Sequence, residues 1–316
     1  MDVASKSLEA RIGQQGATGS FASDAEGINA LGDFCRTHQA ELVAMEATGG
    51  YEQQAFAQLS GQGLAVAILN PRAVRQFAQS MGSLEKTDRI DAGMIAWYAE
   101  VKKAQPVCLA TENQQHLRAL VTRLRQLTKM RAIQLNQQRL VTDRKVQASF
   151  KKLLALLARQ IGELEQGIAA LLEKDPLWHE LDQAFRTIKG VADRTVARLM
   201  AEMPEIGTLS NKTISKLAGV APLANDSGKH QGKRAVRGGR AAVREILFIV
   251  ASVVGRHEPD FIAFRQRLRA AGKPLKVVRI ALAHKLLVRL NAKAREVRQA
   301  MASVERGPVV VQMESA

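Results

Sequence analysis

The chain is poor in cysteine and aromatic residues, and it has no long apolar run. Only Cys35 and Cys108 occur among 316 residues, which excludes a disulfide-stapled scaffold. Aromatics make up 4% of the sequence, too few for the base-stacking platforms of many RNA- and single-strand-binding modules. The longest near-continuous apolar stretch, Ile246 to Val254, is about half of what a membrane span needs. No basic segment leads into an apolar one at the start, so nothing points to secretion. The expectation is a soluble, reduced, cytoplasmic protein that engages no membrane.

Apolar residues and positive charge are plentiful. Hydrophobic residues make up 46% of the chain, enough to build cores and too many for a disordered chain, and the length favours two domains over one. The formal net charge is +16 and the pI about 10.2. That charge is unevenly placed: residues 1–110 carry a net −3, residues 111–180 a net +5 and residues 181–316 a net +14. The pattern suggests an N-terminal part that holds carboxylates and a C-terminal part that holds a polyanion, although charge alone also fits a merely basic binding protein.

Hydrophobic spacing predicts an α/β start. Val3 to Ile12 reads as an extended run, Gly13 to Ser23 as a loose stretch, and Asp24 to His38 as a helix. Glu41 to Met45 and Leu64 to Leu69 are compact apolar runs of the buried-strand type, the second stopped by Asn70-Pro71. Tyr51 to Leu59 reads as helical, and Thr87 is placed to cap a helix reaching about Val101. Strands alternating with helices imply a helix-covered sheet. From 111 to 175, Leu117, Leu120, Leu124 and Leu127, then Leu154, Leu157, Ile161, Leu164, Ile168 and Leu171, keep heptad spacing. Two helices joined near Thr142 to Ser149 either fold back as a hairpin or pair with another chain. Beyond Phe185 the chain reads as mainly helical. Ile188 to Ala197 resembles a helix-hairpin-helix, whose turn offers N–H groups to a phosphate, and an ordinary turn fits it equally. Lys273 to Met301 reads as a basic, proline-interrupted helix.

Four carboxylates stand at places where side chains converge. Asp2 heads the first strand, Glu46 ends a buried strand before Thr48-Gly-Gly50, and Asp88 and Asp91 share a helix face at i and i+3. Four such groups together repel unless divalent cations neutralise them, and Mg²⁺ prefers oxygen ligands. Each also has a plainer reading: Asp2 as an N-terminal residue, Glu46 as a cap of the glycine turn, and the aspartates as partners of a helix dipole.

The most unusual segment runs from Gly219 to Arg240. From Ser227 to Arg244 it holds Lys229, Lys233, Arg234, Arg237, Arg240 and Arg244, four glycines and no acid after Asp226. Glycines admit a phosphate to the backbone and the cations neutralise it, so these six are candidate nucleic-acid contacts. Ser227 would face that phosphate, as a nucleophile if something takes its proton, or as an incidental loop serine. No G-x-S-x-G elbow is present, which argues against an esterase-like hydrolase.

In this order and spacing, Asp2-Val-Ala-Ser-Lys6, Met45-Glu-Ala-Thr-Gly-Gly-Tyr51, Asn70-Pro71, Lys86-Thr-Asp-Arg-Ile-Asp-Ala92, Gly219-Val-Ala-Pro222 with Ser227-Gly228, and Gly238-Gly-Arg240 with Arg244 carry a resemblance. Over about residues 1–300 the chain resembles insertion-sequence transposases that join a RuvC-like DEDD domain to a C-terminal serine domain, the bridge-RNA-guided recombinases. The resemblance implies an α/β RNase H-like (RuvC-like) domain at 1–108, a helical coiled-coil arm at 109–180, a mainly α serine domain at 181–305 and a tail at 306–316. It puts Asp2, Glu46, Asp88 and Asp91 on the metal ligands for Mg²⁺ and Ser227 on the nucleophile, which forms a 5′-phosphoserine link to DNA. It further implies donor and target DNA, a noncoding guide RNA, a homo-oligomer from dimer to tetramer combining sites of different subunits, and a bacterial, nucleoid-associated setting. One departure is that only Met1 precedes Asp2, where the family pattern has residues completing the strand; an amine beside the first ligand would disturb the site.

Three functions follow: a Mg²⁺-dependent recombinase using Ser227, a metal-dependent nuclease or junction resolvase using water with Ser227 structural, and a non-enzymatic nucleic-acid-binding protein.

Overall fold

The structure, a computed structural model, describes residues 1–82, 88–107, 109–224, 226–228, 230–232 and 234–305. They form two compact units, Met1–Ala110 and Thr111–Ala316. The expected helix cap Thr87 and the tail from 306 lie outside the described residues.

The first unit is α/β. β1 (Asp2–Val3), β2 (Ser7–Arg11) and β3 (Thr18–Ala22) form an antiparallel meander, with Asp2 opposite Glu9 and Leu8 opposite Phe21. The extended run at the start is therefore broken, and Ala4 N–H closes the turn by donating to Ser7 C=O at 2.9 Å. The stretch expected to be loose contains β3. Its small residues hide a strand whose Phe21 packs against Phe34 with ring centroids 5.6 Å apart. α1 (Ala25–Thr37) follows, capped by Asp24, whose carboxylate accepts from Gly27 N–H at 2.8 Å.

β4 (Val43–Glu46) and β5 (Val66–Leu69) run parallel, Val43 beside Val66 and Glu46 beside Leu69. Between them lies α2 (Glu52–Gly61). Both faces of this pair are covered: Val43, Met45 and Val66 join a core with Leu8, Ile28, Leu31 and Leu59, while Ala44 and Leu69 join Val74, Ile95 and Ala99. Burial on both faces explains why these strands read as continuous apolar runs. Asn70-Pro71 ends β5 but also starts a helix the sequence reading missed, α3 (Pro71–Ser80). Asn70 caps it and proline occupies the first turn, where no N–H is needed. α4 (Asp88–Lys102) packs on α3 through Phe77, Trp97 and Tyr98.

Among its described residues the second unit is helical apart from one small hairpin and the bridge between Leu223 and Ala235. α5 (Glu112–Gln138) and α6 (Arg144–Lys174), capped by Thr111 and Asp143, fold back on each other within the chain. The connection is 139–143, shorter than expected, because Asp143 caps α6 and lets the helix begin at Arg144. Leu117, Val121, Leu124 and Leu127 bury against Leu157, Ile161, Ile168 and Leu172. Near the connection Gln138 Nε2 donates to Gln147 Oε1 at 3.1 Å across the two helices, and Met130, Ile133, Leu140, Val146, Leu153 and Leu156 are exposed.

α7 (Pro176–Arg186), α8 (Asp193–Glu202), α9 (Asn211–Ala218), α10 (Ala241–His257), α11 (Pro259–Ala270) and α12 (Leu275–Glu305) complete the unit. Pro274 precedes α12 and does not interrupt it. α12 runs through the core on Val278, Leu282, Leu286, Leu287 and Leu290, each worth about 1.5–3 kcal/mol when fully buried. Buried Asn291 on α12 fastens the α8–α9 loop: its Oδ1 accepts from Gly207 N–H at 2.8 Å, and its Nδ2 donates to Leu209 C=O at 3.0 Å and Asn211 Oδ1 at 2.9 Å. Gly207, at φ +87°, must be glycine because a Cβ would stand 2.7 Å from the Ala294 carbonyl carbon.

Candidate functional site

Two sets of residues carry the candidate chemistry, one in each unit. In the first unit, Asp2 lies in β1, Glu46 ends β4, and Asp88 and Asp91 fall in the first turn of α4. Met1 ammonium donates to Ala44 C=O at 2.8 Å, which ties β1 to β4. That amine is fully buried, and burial lowers its pKa to about 6 against the opposing charges of Asp2, Cys35 and Glu46. Asp2 and Glu46 are therefore within electrostatic reach of one amine. α4, whose first turn carries Asp91, packs against both strands. The Asp88 side chain lies outside the described part. Among the described residues, no group of three or more His, Cys, Asp or Glu side chains is close enough to hold a metal ion. The donor chemistry suits Mg²⁺, and of the four candidate ligands Asp2 and Glu46 are the two whose charges act on the Met1 amine.

The glycine turn after β4 is held by a carboxylate from the start of α2, Glu52. Buried Glu52 accepts from Thr48 N–H at 3.0 Å, Thr48 O–H at 3.0 Å and Gly50 N–H at 2.8 Å. Burial by itself would raise the Glu52 carboxyl, but these bonds and those from its own backbone and Gln53 outweigh it and hold the group below its ordinary value. The N–H groups of Thr48 and Gly50 in this turn are thus taken by Glu52. Glu52 was missed in the sequence, although a carboxylate four residues after Thr48 at a helix start was the available signal.

In the second unit, Asp226–Ser227 and His230–Gln231 are the strands β6 and β7 of a tight hairpin, Ser227 opposite His230. Gly228, at φ +53°, supplies the left-handed residue a two-residue turn needs. Ser227 is exposed at the tip. Asp226 is taken up by Arg234, 3.5 Å away.

The base of this loop is clamped. Arg240 N–H donates to Leu217 C=O at 2.8 Å, and its guanidinium grips Glu205 at 2.7 and 2.6 Å while donating to Glu202 C=O at 2.8 Å. Burial opposes ionisation of Glu205, but the hydrogen bonds and charge of Arg240, with its own backbone and Arg118, hold its carboxyl low. Arg244 donates to Gly238 C=O at 2.5 Å. A Cβ at Gly239 would collide with the backbone of Gly219, so the two ends of the loop touch only through glycine. The six candidate phosphate contacts therefore divide. Arg240 and Arg244 hold the loop base, Arg234 and Arg237 are exposed, and Lys229 and Lys233 lie outside the described residues.

The turn resembling a helix-hairpin-helix joins α7 to α8. Its Lys189 N–H points inward and donates to Glu258 Oε1 at 2.8 Å, so that group is spent on an internal carboxylate. No helix among the described residues is long and apolar enough to cross a membrane.

Residues 1–146 match the transposase family DEDD_Tnp_IS110, and residues 182–266 match the Transposase IS116/IS110/IS902 family. The chain is 27% identical over 259 residues, 80% of each chain, to the pilin gene-inverting proteins of Moraxella bovis and Moraxella lacunata. Over those residues the chain is similar to IS110-type transposases, a family of DNA-processing enzymes.

Proposed function

We propose that the chain is a site-specific recombinase of an insertion sequence that breaks and rejoins DNA through Ser227. The observation that carries this is the serine loop: an exposed Ser227 at the tip of a short hairpin, exposed cations beside it and a base closed by Arg240 and Glu205. Such a loop presents a hydroxyl and positive charge together to a phosphodiester while its ends stay fixed. The Ser227 hydroxyl oxygen bonds to phosphorus, the 3′ oxygen departs with a proton, and a 5′-phosphoserine remains. A 3′ hydroxyl from the other duplex then attacks that phosphorus, releases Ser227 and joins the strands.

The first unit is proposed as an RNase H-like fold in which Asp2, Glu46, Asp88 and Asp91 hold Mg²⁺. Its antiparallel meander followed by two parallel strands with intervening helices supports this. A bound divalent ion supplies Lewis acidity and charge neutralisation at the phosphate. The divisions at 108, 180 and 305 are proposed as the limits of that domain, the arm and the serine domain. The exposed apolar end of the α5–α6 hairpin supports self-association, from dimer to tetramer, in which carboxylates of one subunit act with the serine of another. Guidance by a noncoding RNA is proposed from the family likeness and from the scarcity of aromatic base readers. The relatives named pilin gene-inverting proteins suggest inversion as one outcome of the same exchange.

Incubation with donor and target DNA, the element's RNA and Mg²⁺, followed by denaturation, tests this. A covalent protein–DNA adduct is expected, lost in Ser227→Ala. Cleavage without an adduct, abolished by Asp88→Asn but not by Ser227→Ala, would instead establish water as the nucleophile.

A further inference from the structure

From Phe261 to Arg295 the chain has ten Lys or Arg and no Asp or Glu. Eight of these cations fall into two groups. Three that face the body of the unit are partnered. Lys285 donates to Asp260 C=O at 2.9 Å, Arg289 stands 3.5 Å from Glu258 and 3.8 Å from Asp260, and Arg295 donates to Leu209 C=O at 3.1 Å. Those at the corner where α11 turns into α12, namely Arg267, Arg269, Lys273, Lys276 and Arg279, are all exposed. None of these five has a carboxylate partner among the described residues.

Five like charges within thirteen residues repel one another, and water and salt offset that only in part. Two of the guanidiniums are nevertheless held in place by aromatic faces, Arg267 over Phe264 at 5.2 Å and Arg279 over Phe248 at 4.7 Å. Fixed, unpaired cations lose less freedom on meeting an anion than mobile ones do. Lys276 and Arg279 are three residues apart on one helix face, about 4.5 Å along the axis, within reach of neighbouring phosphates of one strand.

We propose that the α11–α12 corner is a second DNA-binding surface, adjoining the base of the serine loop through Phe248, that grips the sugar–phosphate backbone of a duplex without reading its bases. The choice of DNA as partner rests on similarity to DNA-acting families and not on the Ser227 mechanism. The exposed Leu275 and Val277 between the cations pack against sugar edges.

The test is binding of the full-length chain to a duplex of arbitrary sequence, by fluorescence anisotropy from 50 to 400 mM salt on the order used for such slopes. The variant changes Arg269, Lys273, Lys276 and Arg279 to Gln. These residues are exposed, and an unchanged melting temperature verifies folding. Each lost phosphate contact lowers the slope of log K against log salt by about 0.9, so a fall of about 2 to 3.6 is expected, with binding on the order of 10²-fold weaker near 0.15 M salt. A control changes Arg144, Lys145, Lys151 and Lys152 to Gln, removing equal charge elsewhere. A slope that falls by less than about one, or falls as far in the control, overturns the proposal. So does a variant that loses RNA or anionic vesicles while keeping its DNA slope. Adduct formation at Ser227 is read in a separate reaction, so failure there leaves this binding result intact.

Discussion

The carboxylates of the first unit and the serine of the second are held by different means. Asp2, Glu46 and Asp91 sit on regular elements, so their backbones are fixed by strand pairing and by α4 packing on β1 and β4. Ser227 sits at the tip of a loop whose position depends on a relay of side chains: Asn291 holds the α8–α9 loop, that loop carries Glu205, and Glu205 holds Arg240 at the loop base. Groups that must share a charge at fixed spacing gain from a rigid frame. On the proposed mechanism Ser227 meets and releases two DNA strands, a role suited by a tip carried on a fixed base. The first set should therefore be sensitive to chemistry and tolerant in fold, whereas the second should be reachable through distant structural changes.

Substitutions can separate the two. The largest effect is expected from Glu46→Gln or Asp91→Asn: strand exchange should fall on the order of 10²–10⁴-fold, in line with several kcal/mol of transition-state stabilisation, while the melting temperature barely changes. Initial rates and a thermal scan on the same preparations check both halves. Next comes Asn291→Ala, which leaves the Gly207 N–H buried without its acceptor. A loss of about 2–4 kcal/mol in stability is expected, read by urea unfolding, together with increased proteolysis within 219–240.

Arg240→Ala should cost less, about 1–2 kcal/mol, because the pair with Glu205 is one-third exposed on each side and solvent screens it. Adduct yield should fall more than stability does. A double substitution of Glu205 and Arg240 should be milder than the sum of the single ones.

The smallest effects concern pH. Glu52 and Glu205 have carboxyls held below their ordinary values. Their contribution is full above the unfolded carboxyl value, about 4.3, and is lost as pH falls from there through the folded values. The melting-temperature gap between the native chain and Glu52→Ala should thus be constant from pH 7 to 5 and shrink below about 4. A gap that widens on acidification would reverse the sign. His284 is shifted down by burial, so acidification below about 6.5 favours the unfolded chain at that site.

Much of the first unit was legible because a sheet buried on both faces writes itself as apolar runs, as in Val43–Met45 and Val66–Leu69. β3 was not legible, since Thr18-Gly-Ser-Phe-Ala22 has one large apolar residue and takes its strand form from pairing with β2. α3 was hidden by reading Asn70-Pro71 only as a stop. The heptads of α5 and α6 were plain, but whether they meet each other is a long-range fact that spacing does not contain. In the serine loop, composition could mark cations but not their partners. Arg240 and Arg244 looked like Arg234 and Arg237 in sequence, and only the fold shows that Glu205 and the Gly238 carbonyl already hold the first two.

The central claim, that Ser227 is the nucleophile, is tested most directly by mass spectrometry of the trapped reaction after nuclease and trypsin digestion. The peptide Leu217–Lys229 contains Ser227 as its only hydroxyl-bearing residue. A nucleotide 5′-phosphate on that peptide, fragmenting to Ser227 and absent in Ser227→Ala, is the expected result. DNA cleaved to completion with that peptide unmodified, or a nucleotide on any other residue, would contradict it.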